Sequence, residues 1–201
     1  MIPLRFLSKM GTYKIQLEGV TVDVRIVNRA EVVAIGLAEL KPLIGLTTVV
    51  GLMVKFKASI INNPQMLQLC VRTCCLLIQL GSLDSISQCL KDFLRDPKIC
   101  FVGDGMSRGL SGLKTYCRIE CKSGIELCEL VAMILKMPRY LSGGPGLGTL
   151  SDAAGLGAVN FPKTVKFDCR AKVFNDEELM CAIHSVYCSH NIGSKMLAML
   201  L

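Results

Sequence analysis

The chain has no tryptophan and only 5% aromatic residues. That scarcity argues against extensive base stacking as a way of holding nucleic acid, because stacking platforms need aromatic faces. No C-x-x-C pair occurs, so the ligand spacing of a structural zinc module is missing. The most apolar stretch, Pro42 to Val54, is broken by Pro, Gly and Thr and falls short of the roughly 20 residues that cross a bilayer. Met1 to Met10 has neither an extended apolar core nor a small-residue cleavage site, so no secretory signal is expected. Ser/Pro-rich and acidic low-complexity stretches are absent, as are repeats at the periods of solenoids or propellers. A soluble intracellular protein, cytoplasmic or nuclear and without a membrane partner, is the expectation.

What is present is a large apolar fraction. The 201 residues are 51% hydrophobic, enough for one compact α/β domain spanning 1–201. Eleven cysteines, an odd number, sit mostly in apolar patterns such as Cys70, Cys74, Cys75, Cys100 and Cys128. They read as small buried hydrophobes in a reducing compartment rather than as a disulfide framework. The formal charge of +7 favours polyanions, but its Lys and Arg are spread along the chain. One dense basic cluster stands out: Lys163, Lys166, Arg170 and Lys172. It reads equally as a solvated face or as a phosphate track.

Periodicity supplies the elements. Tyr13 to Leu17 and Val20 to Val27 alternate around Glu18-Gly19, a hairpin signal. Asn28 is placed to cap a helix from Ala30 to Leu40, ended by Lys41-Pro42. Strands are predicted over Thr47 to Lys57, Met66 to Val71 and Cys74 to Leu80, with turns at Asn62-Asn63-Pro64 and Arg72-Thr73. Ser85 opens a helix to Leu94, Lys98 to Val102 forms a short strand, and Gly105 to Leu113 forms a helix. A strand within Ile119 to Ile125 leads into a helix from Glu126 to Lys136. After a loop at Gly143-Gly144-Pro145-Gly146, a helix starts near Leu147. Asn175 is the N-cap of the closing helix, Asp176-Glu177-Glu178 favour its first turn, and it runs to Leu201.

Several of these segments, in this order, resemble one family. Gly51-Leu52-Met53-Val54-Lys55-Phe56 resembles the opening strand Gly-Leu-Asp-x-Glu-Trp of the DnaQ-like, ribonuclease-H-like 3′–5′ exonucleases. Pro64 to Leu80 is similar to that family's P-x-x-LQL…CLIFQL strands, and Phe101 to Met106 to its FVGVGI. Gly146-Leu147 and Leu150 match GL-x-x-L, and Asn175 to Gly193 resembles the closing helix S-x-EQV-x-YA-x-x-DAYVS-x-x-IG. The likeness covers about residues 46–197 and, more weakly, the N-terminal hairpin and helix of about 13–41 from Tyr13 on, and is strongest to the Werner-type branch and its small single-domain plant relatives. It implies a ribonuclease-H-like fold, a twisted mixed sheet flanked by helices.

The same resemblance implies four metal-binding carboxylates and a Tyr or His helper, the acids holding two Mg²⁺ or Mn²⁺ ions about 4 Å apart across the scissile phosphate. Carried over position by position, the acids fall on Met53, Lys55, Gly109 and Ser185, and the helper on Cys181. Cys169 stands near the place of a Trp that often precedes the last helix. A thioether, an ammonium and a glycine offer hard cations no oxygen, so neither metal nor two-metal hydrolysis is expected. Asp104 and Glu126 are read as a turn or cap residue and a first-turn acid, not as replacements. Cys181, His184 and Cys188 share a helical face at i, i+3 and i+7. Core packing is preferred there over zinc ligation or a Cys–His pair.

The expectation is therefore a catalytically inactive exonuclease-like protein. It would bind single-stranded nucleic acid, with Lys55, Lys163, Lys166, Arg170 and Lys172 as candidate contacts, or would associate with active relatives as a homo- or hetero-oligomer near RNA-decay machinery. Lys55 either holds a phosphate as a point charge or simply snorkels to solvent. The rival is an active exonuclease with an unrecognised ligand set.

Overall fold

The structure is a computed structural model that describes residues 6, 9–45, 48–56, 63–141, 145–157, 159 and 167–201. β1 (Thr12–Leu17) and β2 (Val20–Val27) form the hairpin. Glu18 and Gly19 both have positive φ, 52° and 82°, the two-residue turn whose twist matches the flanking strands. α1 (Ala30–Leu40), β3 (Val49–Phe56), β4 (Pro64–Val71) and β5 (Cys74–Ile78) follow. Then come α2 (Gln88–Arg95), β6 (Cys100–Gly103), α3 (Met106–Cys117), β7 (Gly124–Glu126), α4 (Leu127–Leu135), α5 (Leu147–Ala153) and α6 (Asp176–Ala198).

Seven strands make one sheet in the order β1-β2-β5-β4-β3-β6-β7. β4 runs antiparallel to β3 and β5, whereas β3 is parallel to β6, and β6 to β7. The hairpin extends this arrangement through β2, which pairs parallel to β5. Chained together, these pairings make β2, β5, β3, β6 and β7 parallel to one another. Their carboxyl ends (Val27, Ile78, Phe56, Gly103 and Glu126) form one rim, the edge where open α/β sheets receive ligands.

Alternation along the strands sends side chains to two faces. Val50, Leu52 and Val54 of β3 join Leu67, Leu69, Leu76 and Phe101 under α1, α2 and α3. On the other face Met53, Met66 and Leu77 pack against Leu179, Ile183 and Val186 of α6. A third cluster places Val49 and Val102 with Leu130, Leu150 and Ile192, from α4, α5 and α6. Burying each such side chain stabilises by about 2 kcal/mol.

α6 lies almost directly on the sheet. A Cβ on Gly51 would meet the Val186 carbonyl oxygen at 2.5 Å, and one on Gly193 would meet Val102 Cγ2 at 2.5 Å. His190 adds a polar clamp: its Nε2 accepts the backbone N–H of Arg72 at 2.7 Å, fixing the β4–β5 turn, where Arg72 has φ 53°. Burial, with Arg72 adding to it, pushes the His190 pKa down to about 4, so the ring is neutral. The start of α6 is a capping box in which Asn175 and Glu178 exchange side-chain-to-backbone hydrogen bonds, each 2.9 Å.

Several boundaries differ from expectation. Arg29, not Asn28, is the α1 N-cap and makes no side-chain cap bond; Ser87, not Ser85, precedes α2. The expected strand within 119–125 shrinks to Gly124–Glu126, because Ile119 turns into the core and its N–H bonds the Leu113 carbonyl. β4 begins at Pro64, and beyond Ile78 the chain turns through a 3-10 segment, Leu80–Ser82. α3 runs on to Cys117, and α6 stops at Ala198. Thr47, Lys57, Asn62 and the Gly143-Gly144 loop lie outside the described residues.

Candidate nucleic-acid interface

β3 positions Met53 and Lys55, two residues apart, toward α6. Met53 is buried among Ala182 and Val186. Lys55 is half-buried nearer the rim, and burial lowers its ammonium pKa, offset in part by Cys169, Asp104 and Cys181 around it. α6 runs antiparallel to β3 here: Gly51 backs onto Val186 and His190, while Lys55 lies near Cys181. One further turn along α6 places Ser185, also half-buried, beside Ala182 and Val186. Lys55 and Cys181 are thus neighbours, Met53 packs against α6 on the same sheet face, and Ser185 stands one turn further along the helix.

Gly109 stands apart, on α3 across β3, where a Cβ would meet Val54 Cγ2 at 3.3 Å. The place that the resemblance gives to the third acid is therefore tight even for a methyl group. Arg108 beside it lies over the Phe56 ring, 4.5 Å from the centroid, closing the end of β3 with a cation on an aromatic face.

The two stray acids behave unlike a ligand set. Asp104, exposed at the end of β6, faces Lys55 electrostatically and, among the described residues, caps no helix. The helix-cap role belongs to Glu126, which does not serve its own helix. Its carboxylate accepts the N–H groups of Gly105 and Met106 at 2.9 and 2.7 Å. β7 thereby caps α3, whose own N-cap residue is a left-handed glycine.

The Cys181, His184 and Cys188 face of α6 separates. Cys181 turns toward Lys55. His184 Nδ1 lies 3.7 Å from Cys188 Sγ, and its Nε2 lies 3.7 Å from Glu18 at the hairpin tip. Burial lowers the His184 pKa and, in Cys188, raises the thiol to about 12, values that suit packed neutral groups. Among the described residues no three His, Cys, Asp or Glu side chains are grouped to hold a metal.

The basic cluster also divides. Lys163 and Lys166 lie outside the described residues, while Arg170 and Lys172 are exposed on the loop before α6. That loop is held by Gln79, buried at the end of β5, whose Nε2 donates to the carbonyls of Cys169 and Ala171 at 2.9 and 2.8 Å. Stacked Phe167 and Phe174 rings, 5.2 Å apart, close it from within. Cys169 therefore faces Lys55, and Arg170 and Lys172 face a separate cleft beside Asn28 and Arg29. Arg29 and the two roles of Gln79 and Glu126 were invisible as sequence signals, save that a cation at a helix N-terminus is electrostatically unfavourable.

This mixed sheet with flanking helices is that of the ribonuclease-H-like exonuclease fold. Solved structures bear this out. The chain is similar to the EXD2 exonuclease domain soaked in Mn (19% identity, TM-score 0.52, covering 84% of this chain and 86% of that one). The same domain without a soak gives 18% identity and a TM-score of 0.53 over 84% and 86%. Soaked in Mg and GMP it gives 18%, 0.52, and 84% and 85%. No family model and no curated protein matches the sequence. Among the described residues no helix is long and apolar enough to cross a membrane.

Proposed function

We propose that this chain is a catalytically inactive exonuclease-like protein of the Werner-type branch, which holds single-stranded nucleic acid without cutting it. The carrying observation is Lys55. An ammonium group sits half-buried on the central strand, where the resemblance puts a metal-binding carboxylate. The fit to Mg²⁺ or Mn²⁺ is poor: thioether, ammonium, thiol and hydroxyl groups stand at the positions carried over, and hard cations need several charged oxygens. Like charge on Lys55 opposes a cation further.

The same group suits a phosphodiester. Its burial, unrelieved by an ion pair among the described residues, leaves a charge that a phosphate oxygen would solvate by accepting charge-assisted hydrogen bonds from Nζ. The loss of acids at Met53 and Ser185 also removes repulsion of the strand.

Two measurements on purified protein test this. A 5′-labelled single strand incubated in Mn²⁺ should remain intact on a denaturing gel. A ladder that vanishes with EDTA, in protein freed of contaminating nuclease, would instead establish an active exonuclease. Fluorescence anisotropy with the same strand should show affinity that falls with salt, and Lys55→Glu should shrink the log–log salt slope by about 0.7, one single-strand contact. Salt-independent binding, or none, overturns the reading.

A further inference from the structure

A second cleft opens at the same rim, outside the degenerate site. It has a volume of about 370 Å³ and lies between the N-terminus of α1, the end of β5 and the loop before α6. Three cations line it: Arg29, Arg170 and Lys172. Among the described residues none of the three forms a salt bridge, and two carboxylates in the same cleft, Glu31 and Asp84, are likewise unpaired. The balance is one positive charge, to which the first free N–H groups of α1 add their dipole.

The cations are set on a rigid base. Gln79 grips the carbonyls on both sides of Arg170. Asp168 completes the loop, its carboxylate accepting the Arg170 N–H at 3.0 Å and its carbonyl the Ala171 N–H at 3.0 Å. With the backbone fixed at both flanks, Arg170 and Lys172 project outward while Cys169 and Ala171 point into the core. Arg29 is the more telling residue: as the N-cap of α1 it holds a cation where the helix dipole opposes one. An anion in the cleft would reverse the sign of that interaction.

The cleft and Lys55 lie in line. Lys55 pairs with Met66, and the β4–β5 register carried one step puts Met66 opposite Gln79. The Gln79 N–H donates to the Val27 carbonyl at 2.8 Å, which brings Asn28 alongside. Three strand spacings of about 4.8 Å separate Lys55 from Asn28, roughly 15 Å, a distance that a few nucleotides span.

We infer that the cleft of Arg29, Arg170 and Lys172 is a phosphate-binding site for the nucleic-acid strand whose other contact is Lys55. The inference rests on the nucleic-acid reading above and assigns the path of the strand: across the sheet end, from the central strand toward the hairpin. Glu31 and Asp84 work against it, so removing one of them tightens binding.

Anisotropy with a labelled single strand and the full chain tests the site. Arg170→Glu with Lys172→Glu should weaken binding at least tenfold and reduce the salt slope by about 1.4, two single-strand contacts. Lys98→Glu with Lys122→Glu, exposed residues elsewhere with the same change in net charge, should weaken it less than threefold. Asp84→Asn should tighten it severalfold. Equal loss in the two double variants would overturn the site, leaving only net charge. Loss with Lys55→Glu but none with the Arg170/Lys172 pair would overturn the cleft and leave the Lys55 reading standing. A wild-type chain that binds no strand would sink both.

Discussion

Two stretches of the contact between β3 and α6, a few residues apart, have kept very different things. At Gly51 the helix rests on the strand so closely that no side chain fits, and Gly193 repeats this against Val102. At Met53 and Lys55 the same pair of elements carries larger residues with neither the charge nor the oxygen ligands of the acids that the resemblance expects. The seat is a volume constraint: a side chain at Gly51 meets the Val186 backbone, and one at Gly193 meets the Val102 side chain. The cleft is a chemical constraint, which packing does not enforce: a Met fills the place of an Asp and gains burial.

The comparison breaks most sharply at Gly51. Gly51→Ala should cost about 3 kcal/mol or more, since its Cβ would press on the Val186 carbonyl and the backbone has to yield; urea denaturation reads this. Gly109→Ala, at 3.3 Å from a rotatable Val54 methyl, should cost about 1 kcal/mol. Equal losses would erase the distinction between a position that meets backbone and one that meets a rotatable methyl.

His190 sharpens it next. Its native pKa of about 4 lies below the ordinary 6.5, so between these values the unfolded chain holds a proton that the native chain does not. Stability is full above pH 6.5 and falls as pH drops toward 4, by about 3 kcal/mol in all. His190→Gln should flatten that slope in denaturation series at pH 7 and 4.5. Glu126→Ala should cost about 1 kcal/mol, the worth of a cap, with the loss appearing as early exchange of the Gly105 and Met106 amides. The smallest effect belongs to the cleft itself. Lys55→Met should raise stability by about 0.5–1 kcal/mol, because a half-buried cation is replaced by a well-packed apolar chain, while strand binding weakens. A destabilised Lys55→Met variant would mean that Lys55 serves the fold.

Much of the frame was legible because it is local. Alternation gave the hairpin, the β-branched run gave β3, and Asn175 with three acids gave the start of α6. Lys55 and Cys181 are neighbours, and Met53 packs against α6. The remainder depends on residues far apart in sequence. Glu126 looks like a first-turn acid of α4 until β7 pairs with β6 and carries it to α3. Arg29 joins Arg170 only because β2 lies beside β5, and Gln79 is an ordinary strand-end glutamine until the loop before α6 folds onto it. Ile119 misled the strand assignment for the opposite reason: its apolar neighbours serve the core as a loop.

The parallel pairing of β2 with β5 has a kinetic consequence. The β1–β2 hairpin closes over two residues and can form within microseconds, yet Val27 finds Ile78 only after a long intervening stretch of chain has been ordered. The hairpin should therefore form early and dock late. In refolding followed by pulsed amide exchange, its internal hydrogen bonds should gain protection before those it shares with β5. The basic cleft, which needs both partners, would be among the last features of the molecule to exist.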